Sequence, residues 1–202
     1  MSKPSLAIRS ALAGVAMPGQ YGAPGSTGVT LTELVGLSLA AVVARGGQLS
    51  ALSAAVEREF GATLPMRPGR TAQNSIAFVW SSPDQWLAIG ASADNLIQRL
   101  TSCAGASGSV TDLTGSRTIV RIGGPRARDG LMKVVPIDLD ETVFTTGSAA
   151  VTVAAHMTVQ LWKIDASPSY EIASPRSYGV SLWKTLTASF AEYGYISATT
   201  MV

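Results

Sequence analysis

The densest run of chemistry-bearing side chains is basic. Arg117, Arg121, Arg126, Arg128 and Lys133 follow one another with Asp129 as the only acid among them. A guanidinium is a planar fork of donors that matches carboxylates and phosphates, so these four arginines are candidates for docking an anionic group or an acidic partner face. The competing use is pairing with Asp138, Asp140 and Glu141 just downstream. Gly123-Gly124-Pro125 offers a strand-to-helix turn of the kind that cradles phosphate. It lacks the spaced glycines of a dinucleotide fingerprint and the Lys-Ser/Thr of a P-loop, so a tight connection is the expected role. The acidic run 138–141 lacks the spacing and the glycine of a calcium loop. His156 has no nucleophile elbow to serve, because no G-x-S-x-G occurs, and reads as a turn residue between two strands. Cys103 falls on the apolar side of a helix and reads as a core thiol. No catalytic, cofactor-binding or metal-ligating constellation can be assembled from these residues.

Composition narrows the classes further. One His and one Cys cannot supply the nitrogen and sulfur ligands of a zinc or iron–sulfur site, and a lone Cys cannot form an internal disulfide. A net charge of +2 leaves no footprint for nucleic acid. The uncharged runs 10–32 and 142–162 are broken by Gly and Pro or alternate with polar residues, so neither predicts a spanning helix. Lys3 and Arg9 before Ser10–Met17 imitate a signal peptide, but the apolar part is short, contains Gly14 and runs into Pro18. A cytoplasmic location is expected. Charged residues make up 14% of the 202, against about 25% in ordinary soluble domains, while mean hydropathy is +0.27. So little charge predicts that part of the surface is covered by a partner.

These residues must be positioned by elements that the patterning outlines. Residues 1–30, punctuated by Gly, Pro and Ser, are expected to form an extended N-terminal arm without a core of its own, running over its own surface or a partner's. A single domain is expected over 31–202. Leu37–Arg45 predicts a strand and Gln48–Phe60 a helix stopped at Gly61. A polar loop over 62–75 leads to strands at Ile76–Trp80 and Trp86–Gly90, joined by a type I turn at Ser82-Pro83-Asp84-Gln85. Ser92 is the expected cap of a helix carrying Leu96, Ile97, Leu100 and Cys103. The second half repeats this grammar: strand Arg117–Ile122, a helix from Pro125 to Lys133, strands near 149–155, 158–164 and 170–173, and a helix from Ser174-Pro175 to Gly194. Two β-α-β-β-α-like units predict an α+β fold with mostly antiparallel sheets and helices on one side.

Three stretches carry a family resemblance: Trp80-Ser-Ser-Pro-Asp-Gln-Trp-Leu-Ala-Ile-Gly90; Thr111-Asp-Leu-Thr-Gly-Ser-Arg-Thr-Ile-Val-Arg-Ile-Gly-Gly-Pro-Arg-Ala-Arg-Asp129 with Pro136-Ile-Asp-Leu139; and Ser174-Pro-Arg-Ser-Tyr178 with Trp183 and Glu192-Tyr-Gly194. Over residues 31–195 they resemble the gamma subunits of bacterial heterotetrameric sarcosine oxidases. The resemblance implies an aminomethyltransferase-like fold and a non-catalytic, structural subunit. It implies partners, the alpha, beta and delta chains, with alpha in direct contact. It also implies a complex that oxidises sarcosine to glycine with oxygen, giving hydrogen peroxide, and passes the one-carbon unit to tetrahydrofolate. FAD, FMN, NAD, tetrahydrofolate and zinc are implied to sit in other subunits, with none bound by this chain. Aminomethyltransferase relatives place a carboxylate in the first hairpin, whereas Arg70-Thr-Ala-Gln-Asn-Ser-Ile76 has none, which argues against independent folate chemistry. The equivalent subunit of an N-methylglutamate dehydrogenase, and a folate-binding aminomethyltransferase-like protein, are the alternatives.

Overall fold

Two sheets lie face to face, each with helices on its outer side, in the computed structural model, which describes residues 9–25 and 27–202. Lys3 and the rest of 1–8 lie outside the described residues, as does Ser26. The chain enters through β1 (Gly19–Tyr21) and β2 (Val29–Val35). The first half then runs β3 (Leu37–Ala44), α1 (Leu49–Phe60), β4 (Arg70–Gln73), β5 (Ile76–Ser82), β6 (Gln85–Ala91), α2 (Leu96–Ala104) and β7 (Gly108–Asp112). The second half repeats that order with β8 (Arg117–Gly123), α3 (Ala127–Leu131), β9 (Ala149–Ala154), β10 (Met157–Lys163), β11 (Ser169–Pro175), α4 (Gly179–Phe190) and β12 (Tyr195–Met201). The first sheet has the order β4-β5-β6-β3-β7 and is antiparallel throughout; the second is β1-β12-β2-β8-β11-β10-β9, with β12–β2 its one parallel pair.

Alternation along the strands assigns side chains to layers. In β8, Val120 and Ile122 face α3 and α4, while Ile119 faces the other sheet. In β3, Ala40 and Val42 face α1 and α2, while Leu39 faces inward. Three apolar clusters result: one under α1 and α2, one under α3 and α4, and a smaller one between the sheets around Leu34, Leu39, Val79, Leu87, Ile119 and Trp162. The chain crosses from one sheet to the other at Gly36. A positive φ of 78° there favours glycine, which adopts it without strain.

The structure departs from the sequence reading in five places. Residues 9–25 are not an extended arm without a core: Leu12 and Ala16 are buried under α3 and α4, and Gly19–Tyr21 pairs with β12. Glu33, buried on β2, holds this segment by accepting from Ser10 Oγ at 3.0 Å and Leu12 N at 3.1 Å. Each half is β-α-β-β-β-α-β rather than β-α-β-β-α. Polar β4 (RTAQ) and Thr-rich β12 carry no apolar alternation, so pairing with a neighbour, not pattern, makes them strands. The 82–85 turn is not type I, because Asp84 has φ 58°, a left-handed conformation that Asp tolerates. Ser92 does not cap α2. Its Oγ donates to Gly36 O at 2.5 Å, and left-handed Asn95 precedes the helix instead. Finally, α3 stops at Leu131 and α4 starts only at Gly179.

Candidate functional site

The four arginines of the basic run do not converge. Strand alternation puts Arg117 and Arg121 with Ile119 on the inter-sheet face of β8, whereas Arg126 and Arg128 ride at α3 on the opposite side. Arg126 Nη1 pairs with Asp129 Oδ2 at 3.0 Å, and its guanidinium lies 4.6 Å from the Tyr193 ring centre. Arg128 Nη1 stands 3.8 Å from Asp140 Oδ2, which ties the run to the acidic loop downstream. Thr142 donates to Asp140 and, with that backbone N–H, holds the carboxyl below its ordinary range. Arg117 is half-buried, with its Nε lacking an acceptor.

Arg121 belongs to a different arrangement. It sits opposite Glu171 of β11, which in turn sits opposite Trp162 of β10, so the three form a row across the sheet. Arg121 donates Nε and Nη2 to Glu171 Oε1 at 3.0 and 2.6 Å, and Trp162 donates Nε1 to Oε2 at 2.7 Å. Glu171 is buried, and this donor set is what makes a carboxylate there tolerable.

The row faces a cleft of about 150 Å³ where the sheets part, walled by Leu34, Ile76 and Ile89 and lined by Asn74, Ser75, Arg70, Arg121 and Glu171. Arg70 reaches it from edge strand β4, whose backbone N–H donates to Gly147 O across the sheets at 2.7 Å. Burial pulls the Arg70 guanidinium down from its ordinary value; Glu171 opposes that pull and Arg121 adds to it. Arg70 escaped the sequence reading because 62–75 reads as loop. Arg70, Arg121 and Glu171 share no spacing: strand pairing joins Arg121 to Glu171, and the stacking of the two sheets brings Arg70 to the same cleft.

The remaining chemistry-bearing residues are placed simply. His156 is exposed in the two-residue turn between β9 and β10, where Ala155 and His156 have φ of 45° and 72°. Cys103 is half-buried on α2, with its Sγ donating to Leu100 O at 3.4 Å and burial pushing the thiol up. Gly123 and Gly124 form a strand-to-helix connection, Gly124 packing its Cα hydrogens where a Cβ would meet Gly28 O at 2.6 Å. Among the described residues no group of His, Cys, Asp and Glu could hold a metal ion, and no helix is long and apolar enough to cross a membrane.

Comparison with known proteins places this arrangement. The chain is similar to the sarcosine oxidase subunit gamma of an Arthrobacter species, 34% identical over 146 residues that cover 70% of this chain and 71% of the relative. It is 32% identical to that of Corynebacterium sp. strain U-96, over 84% of this chain and 77% of the relative. Among solved structures it superposes on a chain of heterotetrameric sarcosine oxidase from Corynebacterium sp. U-96, determined with pyrrole 2-carboxylate. That match has a TM-score of 0.82 and 28% identity, covering 92% of this chain and 96% of that one. Aminomethyltransferase T of the glycine cleavage system from Bartonella henselae shares the fold, at a TM-score of 0.58, 13% identity and 88% coverage of this chain against 48% of that one. The profile of the sarcosine oxidase, gamma subunit family matches residues 45–192, from just after β3 to just past α4, and so includes all four helices and the Arg121–Glu171–Trp162 row. With most of both halves inside that match, and with relatives 32–34% identical over most of their length, the chain belongs to the sarcosine oxidase gamma subunit family.

Proposed function

We propose that this chain is the non-catalytic, structural gamma subunit of a heterotetrameric sarcosine oxidase, the complex oxidising sarcosine to glycine with formation of hydrogen peroxide. The observation that carries this reading is the end-to-end superposition on one chain of such a complex, at a TM-score of 0.82. The residue inventory supports it: one His, one Cys and no dinucleotide fingerprint leave this chain poorly equipped for redox chemistry. FAD, FMN, NAD, tetrahydrofolate and zinc belong, in this reading, to the other subunits, with transfer of the one-carbon unit to tetrahydrofolate occurring there. The alpha chain is the direct neighbour, beta and delta complete the assembly, and the complex is cytoplasmic.

The surface supports a covered face. Val143, Val151 and Val153, in the loop before β9 and on that edge strand, are exposed at 60%, 43% and 43%. Of the four arginines proposed for partner contact, Arg117 is half-buried and Arg121 is engaged by the buried Glu171, which leaves Arg126 and Arg128, each paired with a nearby acid, as the outward pair. Co-expression of all four subunits tests the reading. The purified complex should contain this chain and make peroxide from sarcosine, and the chain alone should show neither flavin absorbance nor oxidation. A chain that oxidises sarcosine unaided overturns it. R126E/R128E, compared at low and high ionic strength, separates a docking pair from a solvated one.

A further inference from the structure

Each sheet has two edges, and three of the four are short, blocked or charged. β1 has three residues, β4 opens on Arg70, whose N–H already donates to Gly147 O, and β7 ends on Asp112. The fourth, β9, reads Ala-Ala-Val-Thr-Val-Ala without charge or proline, and Asp, Glu, Lys and Arg are absent from the whole stretch 142–162. Soluble proteins ordinarily interrupt such an edge with Lys, Pro or a bulge. Two observations fix the phase of its backbone. The two-residue turn at Ala155-His156, with φ positive at both, closes on the pair Ala154–Met157. At the other end Lys163 N donates to Ser148 O at 3.0 Å. Alternation between these points turns the backbone groups of Ala150 and Thr152 toward β10. The N–H and C=O of Ala149, Val151 and Val153 turn outward, where none of the described residues hydrogen-bonds them.

Side chains define the rest of this surface. Val151 and Val153 lie on the same face of β9 as buried Ala149, yet both are exposed. Where β9 begins, Gly147 and Ser148 open into a groove of about 310 Å³ lined by Pro65, Met66, Arg67 and Thr146. Met66 is exposed there, and Arg67 has no carboxylate partner among the described residues. We propose that β9 is completed by an extended segment of another subunit, which adds as a strand along its outer edge and places an acidic residue on Arg67 in the groove. The inference rests on the reading of this chain as one subunit of an assembly. A row of unanswered donors and acceptors calls for main chain, as in strand addition, rather than for a helix. The uncharged edge selects apolar, β-branched neighbours, since a charged side chain laid beside Val151 and Val153 would lose water without gaining a partner. One carboxylate complements the one charge of the groove. A second copy of this chain fits less well. Antiparallel pairing of β9 with itself about Val151 would bring the Ala155-His156 turn, which has no acid, to Arg67.

The test is amide hydrogen exchange on the full chain, free and within the complex captured through a tag on the alpha chain. The amides of Ala149, Val151 and Val153 should exchange at least about tenfold more slowly in the complex. V151P removes one outward N–H and leaves the β9–β10 ladder intact, so the chain should fold and its capture should weaken about tenfold. V151K/V153K keeps every backbone donor but charges the edge; it should weaken capture as much, and it serves if V151P does not fold. R67E should weaken capture about fivefold at low salt and less at high salt. A chain that is never captured contradicts the subunit reading, and the proposal falls with it. A captured chain whose three amides exchange as fast as in the free state overturns the proposal alone. So does capture left unchanged by V151K/V153K, or capture of R67E equal to that of the native chain. A free chain that dimerises until V151K/V153K makes it monomeric gives the edge to a second copy and overturns the proposal too.

Discussion

The two halves follow one order of elements, yet they cover their sheets by different means. In the first half α1 has twelve residues and α2 nine, so α1 alone spans about 18 Å, and β7 pairs directly with β3. In the second half α3 has five residues, about 7.5 Å, too short to roof its sheet. Irregular chain fills the gap: Leu12 and Ala16 from before β1, and Val135, Leu139 and Phe144 from the loop after α3, all lie in the same core as α4. β2 also enters this sheet, between β8 and β12, and carries the Glu33 carboxylate that fastens the N-terminal segment. A repeated fold thus tolerates a shortened helix when a segment from elsewhere in the chain replaces the lost apolar cover.

The largest test of this contrast is L12A. Leu12 is 1% exposed, so removing it should cost about 2–5 kcal/mol in urea unfolding, as for any core leucine. M17A, at a site 56% exposed, should cost less than about 0.5 kcal/mol. If L12A proves as mild as M17A, the segment before β1 is no part of the second half's core.

Next comes G130A. A Cβ there would stand 2.0 Å from Phe190 Cε1, so short α3 lies on α4 with no space for a methyl. Overpacking should cost about 1–3 kcal/mol, and F190L should recover part of it by double-mutant cycle. Additive costs would mean that α3 is not seated on α4.

A smaller loss is expected from E33Q. The amide keeps one acceptor and loses the other, so about 1 kcal/mol should disappear, with faster amide exchange confined to residues around Leu12. Uniform exchange changes would remove Glu33 from the role of fastener.

The smallest effect is alkaline and distinguishes the halves by residue. Burial raises the thiol of Cys103 in the first half above its ordinary 9.0, and the phenol of Tyr170 in the second half above 10.0. The unfolded chain ionises first in both cases, so stability is full below those ordinary values and falls as pH rises through them. C103A should flatten the first part of the decline and Y170F the second. Tyr170 Oη is buried without a hydrogen-bond partner, so Y170F should cost nothing at neutral pH. A decline that begins below the ordinary thiol value would contradict the assignment.

What was legible in the sequence follows the same division. Gln48–Phe60 shows apolar spacing and a glycine stop, and the observed helix, Leu49–Phe60, starts one residue later and ends on a left-handed Gly61. The strands expected from Leu37, Ile76, Trp86, Arg117 and Thr158 were legible for the same reason, since each alternates or runs apolar between turn residues, and the observed ones start within one residue of those positions. The cover over α3 was not legible, because Leu12 and Phe144 sit in stretches without period and are buried by tertiary contact alone. The basic run showed which residues carry charge but not that β8 sends Arg121 to one side of a sheet while α3 carries Arg126 to the other. Arg70 was hidden twice over, in a strand without pattern and in a cleft shared with residues far away in sequence.

The central claim is membership of a four-chain assembly, and native mass spectrometry of the complex purified through a tag on the alpha chain tests it most directly. One copy of this 20.9 kDa chain should appear with the other three subunits, and the complex should oxidise sarcosine. A sarcosine-oxidising complex of the other three chains that assembles fully without it, while this chain remains alone in solution, would contradict the account.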